Sequence, residues 1–155
     1  MEFNVGDVVF LKSNPERLMT VSIVLGKTKF SGFFGKLYEK HSREIGFTDG
    51  DVQCDCFIGL EYNYGSFKAN KLQIKSSDNI IPKLEVGDVV CLKSNPEIPM
   101  TISFVIKTSG IFFKKELEKQ MRSYWYSVGD VQCTWGNKLN VFERFFSAAM
   151  LTKKS

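Results

Sequence analysis

An eleven-residue string occurs twice in this chain, and the duplication constrains its fold more than any other feature. Residues 6–16 read Gly-Asp-Val-Val-Phe-Leu-Lys-Ser-Asn-Pro-Glu, and residues 87–97 repeat them with Cys91 in place of Phe10. Further along, residues 50–54 recur as residues 129–133. A repeat of this length predicts that the chain contains two copies of one structural unit.

Each copy carries the patterns of short antiparallel strands. A Gly-Asp turn is followed by Val-Val-x-Leu, a β-branched stretch typical of a strand. The Ser-Asn-Pro-Glu string predicts a turn after this strand, because Pro fixes φ and has no backbone N–H. Residues 19–24 and 100–105 then alternate apolar and polar side chains, which indicates a half-buried strand. Four or five short strands per copy indicate a small antiparallel barrel.

The repeat also sets the predicted domain boundaries. The first barrel spans residues 1–75 with an insertion at 26–46, and a linker at 76–82 leads to the second barrel at 83–155, with an insertion at 107–125. Both insertions separate the second strand from the third. A half of about 75 residues buries only roughly 60% of its unfolded surface. We therefore expect the halves to pack on each other, or the chain to form a homo-oligomer.

The strand motifs resemble the YodC-type family of small, uncharacterised bacterial domains. The shared residues are Gly-Asp-Val-Val-x-Leu-Lys-Ser, then Met-Thr-Val, then the Val-x-Cys-x-Trp of residues 131–135, and a closing Phe before Leu. The resemblance covers about two thirds of the chain and implies an SH3-like barrel for each copy. The duplication and the long insertions depart from the family pattern. The family has no established activity, so the resemblance supports the fold only.

Both insertions show helical spacing of apolar side chains. The predicted stripes are Phe34, Leu37, His41 and Ile45 in the first copy, and Phe113, Leu117, Met121 and Tyr124 in the second. Ser31 and Ser109 precede these stretches as N-cap candidates. The sequence therefore predicts one short helix in each insertion.

A basic motif is kept in both insertions although most of the residues around it differ. Each copy retains Lys-x-x-Glu-Lys-x-x-Arg, which places its three basic residues on one face of a helix. Each insertion holds five Lys or Arg and two Asp or Glu, a net of +3, whereas the whole chain is +4. The candidate ligand-binding residues are these basic side chains with neighbouring aromatic ones: Lys36, Lys40, Arg43, Lys115, Lys119, Arg122, Tyr124 and Trp125.

Two interpretations of the basic faces remain open. They are solvated helix faces with Glu39–Arg43 and Glu118–Arg122 pairs at i, i+4 spacing, or they bind an anion. Basic groups beside aromatic rings suit nucleotides, because phosphate meets the charge and the base meets the ring. Four further residues are duplicated in the turns and rank second as ligand-binding candidates: Lys12, Asn14, Lys93 and Asn95. Their alternative role is turn geometry and protection of strand edges.

No catalytic or metal-binding pattern emerges from the sequence. Cys54 corresponds to Cys133, Cys56 to Trp135 and Cys91 to Phe10, so the cysteines exchange with core residues and are predicted to be buried hydrophobes. His41 corresponds to Gln120 in the second copy and is expected to belong to the apolar stripe of its helix, and the repeated Gly-Asp pairs are explained as turns. We expect no enzyme activity, no cofactor and no metal site.

The sequence also bounds location and function. It lacks a long apolar run and a signal peptide, and its four cysteines favour a reducing cytoplasm, so we expect no membrane partner. The leading hypothesis is a non-catalytic protein, bacterial or phage-encoded, that binds a nucleic acid or nucleotide. One concrete form is a phage-type counter-defence protein that sequesters a nucleotide signal. The alternative is a protein–protein interaction module, or an inhibitor, that uses the Phe-rich insertions.

Overall fold

The computed structural model describes residues 1–30, 32–107 and 125–155. Within these ranges the chain is mainly β, as predicted, with two antiparallel five-stranded sheets and one α-helix. The helix, α1, spans Phe33–Glu44 and lies inside the predicted first insertion. In the part of the chain that is described, no helix has the length and apolar character needed to cross a membrane.

Each half of the sequence supplies one sheet. The strands of the first are β1 (Val8–Leu11), β2 (Asn14–Val24), β3 (Val52–Ile58), β4 (Glu61–Phe67) and β5 (Leu72–Ser76). Those of the second are β6 (Val89–Leu92), β7 (Asn95–Val105), β8 (Val131–Gly136), β9 (Val141–Phe146) and β10 (Leu151–Lys153). Short 3₁₀ turns at Ala69–Lys71 and Ala148–Met150 precede β5 and β10. We refer to residues 1–75 and 83–155 as the first and second halves.

The two sheets share one strand order. The first reads β4-β3-β2-β1-β5 and the second reads β9-β8-β7-β6-β10, so corresponding strands occupy corresponding places. All the pairings are antiparallel. Among the described residues no strand pairing closes either sheet, and β4 and β5 are the edges of the first. The barrel closure and the two-domain division therefore stay predictions.

The predicted Ser-Asn-Pro-Glu turn is shorter than expected, because β2 already begins at Asn14. Asn14 pairs with Leu11, but the register then shifts and the next pair is Phe10 with Leu18. The residues between Asn14 and Leu18 have no partner on β1. Pro15 lies in this irregular stretch, where its missing N–H removes no hydrogen bond from the ladder.

The repeated aspartates close the turns before strands, as the sequence predicted. In each turn the carboxylate accepts a hydrogen bond of 2.8–2.9 Å from the backbone N–H three residues earlier. The pairs are Asp7 with Asn4, Asp51 with Thr48, Asp88 with Glu85, and Asp130 with Ser127. The buried polar groups of the turns are thus satisfied locally.

The sheets enclose two main apolar clusters, one in each half. All four cysteines are free and buried in the structure, which confirms their predicted place in the core. The second cluster is not made by the second half alone. Phe57 is buried within it, and Tyr62 packs against it beside Trp135 and Phe146. The halves therefore share a core, in agreement with the expectation that they pack on each other.

Candidate ligand-binding site

Helix α1 rests on the first sheet through a narrow face. Gly35 and Ser42, two of its smallest residues, are its buried residues. Tyr38 lies between them, with its ring 5.8 Å from the ring of Phe30. Its hydroxyl donates a 3.1 Å hydrogen bond to the side-chain oxygen of Gln53 on β3. These contacts fix the helix and so position the basic residues on its outer surface.

The predicted apolar stripe of α1 does not face the core. Leu37 is 54% exposed, Ile45 is 60% exposed, and Phe34 and His41 are also exposed. The apolar spacing predicted a helix here, which the structure confirms, but the helix packs through another face. That face holds Gly35, Tyr38 and Ser42, and Tyr38 supplies its apolar contact. Ser31, the proposed N-cap, lies outside the described residues, and α1 begins after Gly32.

The three basic residues predicted on one face of α1 do lie together. Lys36, Lys40 and Arg43 line one open groove with a volume of about 640 Å³. Glu39 and Glu44 complete its described lining. The described lining belongs to α1 alone, so this part of the groove is one open face of a helix.

Carboxylates compensate part of the positive charge in this groove. Arg43 pairs with Asp49 at 2.7 Å and with Glu39 at 3.2 Å, and these hydrogen bonds raise the pKa of its guanidinium. Lys40 pairs loosely with Glu44, at 3.9 Å. The Glu39–Arg43 pair is the one that the solvated-face interpretation predicted. Among the described residues Lys36 forms no ion pair, so it is the most available cation of the three for an incoming anion.

Trp125 is the one predicted site residue of the second insertion that the structure describes. Trp125 packs 5.4 Å from the Tyr38 ring and 6.1 Å from the Phe30 ring, so it contacts the buried face of α1 and does not line the described groove. Trp125 thereby connects the second half to the helix of the first. The remaining candidates lie outside the described residues: Lys115, Lys119, Arg122 and Tyr124.

The second-ranked candidates divide between the surface and the boundary of the halves. Lys12 donates a 2.9 Å hydrogen bond to the carbonyl of Asn70, and Asn14 is exposed at the start of β2. Lys93 binds Asp78 of the linker. Asn95, at the start of β7, contacts the first half.

Asn95 joins the second half to the first. Its side-chain oxygen accepts a 2.9 Å hydrogen bond from the backbone N–H of Phe57. Close by, the Thr20 hydroxyl donates to the Ser94 hydroxyl at 2.8 Å. Asn95 therefore has a structural partner within the chain, as does Lys93.

A buried polar cluster at the same boundary was missed by the sequence analysis. Asp55 is 4% exposed and accepts hydrogen bonds from the hydroxyls of Tyr62 and Ser22 and from the Gln53 amide. Burial raises the pKa of Asp55, although these hydrogen bonds and the charge of Arg144 act in the opposite direction. Burial and the Asp55 charge also raise the pKa of Tyr62, so its hydroxyl remains a donor.

One signal in the sequence marks this cluster in retrospect. Asp55 corresponds to Thr134 in the second copy, and Tyr62 corresponds to Val141. At both positions the copies differ in charge or in ring, so the repeat pattern does not mark them. The cluster lies where the first half contacts the second, at Tyr62 and Arg144.

Comparisons with protein-family models, with curated proteins and with solved structures found no significant match for this chain. The interpretation of the site therefore depends on its geometry and charges. Within the described ranges no three His, Cys, Asp or Glu side chains are grouped in a way that could hold a metal ion.

Proposed function

We propose that this chain is a non-catalytic binding protein whose ligand is a compact anion, such as a nucleotide or a short single-stranded oligonucleotide. The observation that carries the proposal is the groove in which Lys36, Lys40 and Arg43 stand together. Phosphate oxygens accept hydrogen bonds from Lys and Arg side chains and gain from their charge. The anion would bind first to Lys36 and Lys40, since Arg43 already has two carboxylate partners.

The charges in the groove set the size of the expected ligand. Three basic side chains face two glutamates in the described lining, and Asp49 also pairs with Arg43, so the excess of positive charge is small and centred on Lys36. Duplex DNA binding depends on many phosphate contacts. A ligand with few phosphates fits this excess better than a long duplex does. Sequestration of a nucleotide signal, as a counter-defence protein of phage type performs, is a concrete version of this function.

We further propose that each half is an SH3-like barrel of the YodC type. The identical strand order of the two sheets supports this assignment. The strands of the two barrels would be alike, and the two insertions would be the segments that differ between the copies. In this arrangement the binding residues project from insertions between the strands of a rigid scaffold, and such connections commonly carry functional side chains.

The test compares matched lysine variants with a fluorescent adenine nucleotide and a short oligonucleotide as probes. We expect the double variant Lys36→Ala, Lys40→Ala to weaken binding and to reduce the salt dependence, by a log–log slope of roughly 0.7 for each lost contact to a single strand. The control is Lys71→Ala, Lys75→Ala, which removes two exposed lysines outside the groove. If both double variants bound the probes equally well, the groove would not be the binding site.

A second variant tests the same groove by removing a negative charge instead of a positive one. Glu44→Gln removes a carboxylate from the groove and releases Lys40 from its ion pair. We expect this variant to bind the nucleotide more tightly than the unaltered protein, because the anion no longer competes with Glu44. Unchanged or weaker binding would contradict the proposal.

A second candidate function is a protein-interaction module. The observation that favours it is the outer surface of α1, where Phe33 is 72% exposed and lies near Phe34 and Leu37. Exposed clusters of large apolar side chains are typical of interaction sites. Salt separates the two candidates, because anion binding weakens steeply as salt rises, whereas an apolar interface does not.

A further inference from the structure

A cavity of about 160 Å³ lies on the first half, away from the α1 groove. Its lining includes the buried side chains of Met19 and Cys56, which form the floor. Arg17, Asn63 and Tyr64 stand nearer to solvent at its mouth. The cavity shares no residue with the described lining of the groove, so it is a separate feature of the surface.

The same face of the second half carries larger side chains. Cys56 pairs across β3 and β4 with Asn63, and the corresponding pair across β8 and β9 is Trp135 with Phe142. The Trp135 and Phe142 rings are stacked, with their centres 5.7 Å apart. Small residues in the first copy thus leave open the space that rings fill in the second.

In the second half this face is also occupied by a side chain from the first half. The Tyr62 ring lies 5.5 Å from the Phe146 ring and 6.1 Å from the Trp135 ring, and the Arg144 guanidinium stands 4.3 Å from its centre. The corresponding residues of the first half all line the cavity: Cys56, Gly65 and Phe67. One half therefore offers an empty version of a site that the other half fills with a tyrosine.

We propose that the cavity of the first half binds an aromatic side chain, Tyr or Phe, that a partner protein presents on a β-hairpin or extended strand. Tyr62, the occupant of the equivalent site, belongs to such a hairpin, whose Leu60 carbonyl accepts a 3.0 Å hydrogen bond from the Trp135 indole. A cavity of about 150 Å³ accepts a benzene ring. Arg17 stands 3.3 Å from the Cys56 sulfur and would contact the bound ring, as Arg144 contacts Tyr62.

The neighbouring strand supports a polypeptide over a free aromatic molecule. Residues of β4 line the cavity, and β4 is an edge strand that pairs only with β3 among the described residues. An edge strand offers backbone N–H and C=O groups to an added strand, while an adjacent pocket selects one of its side chains. A partner segment could therefore gain main-chain hydrogen bonds and bury its ring in one arrangement.

The test uses the full-length protein and a cyclised peptide with the sequence of residues 56–63, the hairpin that fills the equivalent site. In ¹H–¹⁵N spectra we expect saturable shifts at the amides of Cys56, Gly65 and Phe67. A matched peptide with Ala in place of its tyrosine should bind at least about 10-fold more weakly, because it lacks the buried ring. Absence of shifts at these amides, or equal binding of the two peptides, would overturn the proposal.

Two protein variants assign the binding to the cavity. Cys56→Trp fills the cavity with the residue of the second copy and should abolish peptide binding. Arg17→Ala removes only an exposed side chain, so it should fold normally and weaken binding about fivefold. Lys12→Ala, which removes a nearby cation that does not line the cavity, is the control and should bind normally. Unweakened binding by Arg17→Ala together with Cys56→Trp would contradict the site.

Comparing nucleotide binding with peptide binding distinguishes a failure of the cavity proposal from a failure of the α1 groove. Peptide binding should be unchanged in the variant Lys36→Ala, Lys40→Ala, and nucleotide binding should be unchanged in Arg17→Ala. Sedimentation velocity tests the rival occupant, a second copy of this chain. Self-association that Cys56→Trp abolishes would identify the occupant as a second copy and would overturn the assignment to a different partner protein.

Discussion

The guanidinium carbon of Arg144, in the second half, lies 4.3 Å from the centre of the Tyr62 ring, in the first. The Tyr62 hydroxyl in turn donates to Asp55, which is buried on β3. A cation, a ring and a carboxylate thus meet across the boundary between the halves. Interactions of this kind are lost together when the halves separate, so we expect the protein to unfold in one cooperative transition.

The first prediction concerns the side chain by which the first half completes the core of the second. Phe57 is buried and packs 5.2 Å from the Trp135 ring. We expect Phe57→Ala to lower the free energy of unfolding by about 3–5 kcal/mol, because it removes a ring and leaves a cavity. Urea denaturation followed by Trp fluorescence and by circular dichroism measures this loss.

The control is the same substitution at an exposed phenylalanine. Phe33→Ala on α1 should change the free energy of unfolding by less than about 0.5 kcal/mol, since Phe33 is 72% exposed. Two separate transitions in Phe57→Ala, with only one of them shifted, would show that the halves fold independently and would contradict the shared core.

The second prediction compares two glycines that occupy the same place in the repeat. Both have positive φ, +96° at Gly6 and +92° at Gly87. A Cβ at Gly6 would lie 2.1 Å from the carbonyl oxygen of Ala149, whereas a Cβ at Gly87 would meet nothing within 4 Å. We expect Gly87→Ala to cost about 1–2 kcal/mol from backbone strain alone, and Gly6→Ala to cost on the order of 3 kcal/mol or more. Thermal or urea denaturation of both variants checks the order, and equal costs would contradict the close approach at Gly6.

The strands could be predicted because both copies repeat the same local signals. Each copy has a Gly-Asp turn followed by Val-Val, which favours a strand, and both copies form a strand there. The position of the first helix also followed from sequence, since α1 falls within residues 26–46. These features depend on neighbours in the chain, which is the information that a sequence pattern contains.

The faces and contacts between elements could not be predicted in the same way. Gly35 and Ser42 are small and weakly apolar, so no hydrophobicity pattern marks them as the buried side of α1. Their burial follows from the packing of Tyr38 against the rings of Phe30 and Trp125, and Trp125 is distant in sequence. The Asp55 cluster was missed for a different reason, because Asp55 and Tyr62 are replaced by Thr134 and Val141 in the second copy.

The third prediction concerns the pH dependence that Asp55 contributes. Burial raises its pKa above 3.8, the value for an exposed aspartate, so between those two pKa values the folded protein binds more protons than the unfolded chain. The contribution of Asp55 to stability is therefore full below pH 3.8 and falls as the pH rises through its folded pKa. We expect Asp55→Asn to gain stability relative to the unaltered protein as pH rises from about 4 to about 7. Urea denaturation at each pH measures the difference.

Asp88→Asn provides the matched control with the opposite sign. Hydrogen bonds from Lys153 and from the Glu85 backbone N–H lower the pKa of Asp88. Its contribution is present above the unfolded pKa and is lost as the pH falls through the folded one. The deficit of Asp88→Asn should therefore be largest near neutral pH and shrink in acid. If the two variants changed in the same direction with pH, the assignment of Asp55 as a buried acid with a raised pKa would fail.

The fourth prediction tests which face of α1 holds the helix on the sheet. Tyr38 packs against the Phe30 and Trp125 rings and hydrogen-bonds to Gln53, whereas the adjacent Leu37 is 54% exposed. We expect Tyr38→Ala to cost about 2–4 kcal/mol of unfolding free energy, since it removes a packed ring and a hydrogen bond. Leu37→Ala should stay within about 0.5 kcal/mol, because it removes mainly solvent-exposed area and Ala favours helix. Amide exchange on α1 should accelerate in the first variant only; if Leu37→Ala were the more damaging change, the apolar stripe and not the Tyr38 face would hold the helix.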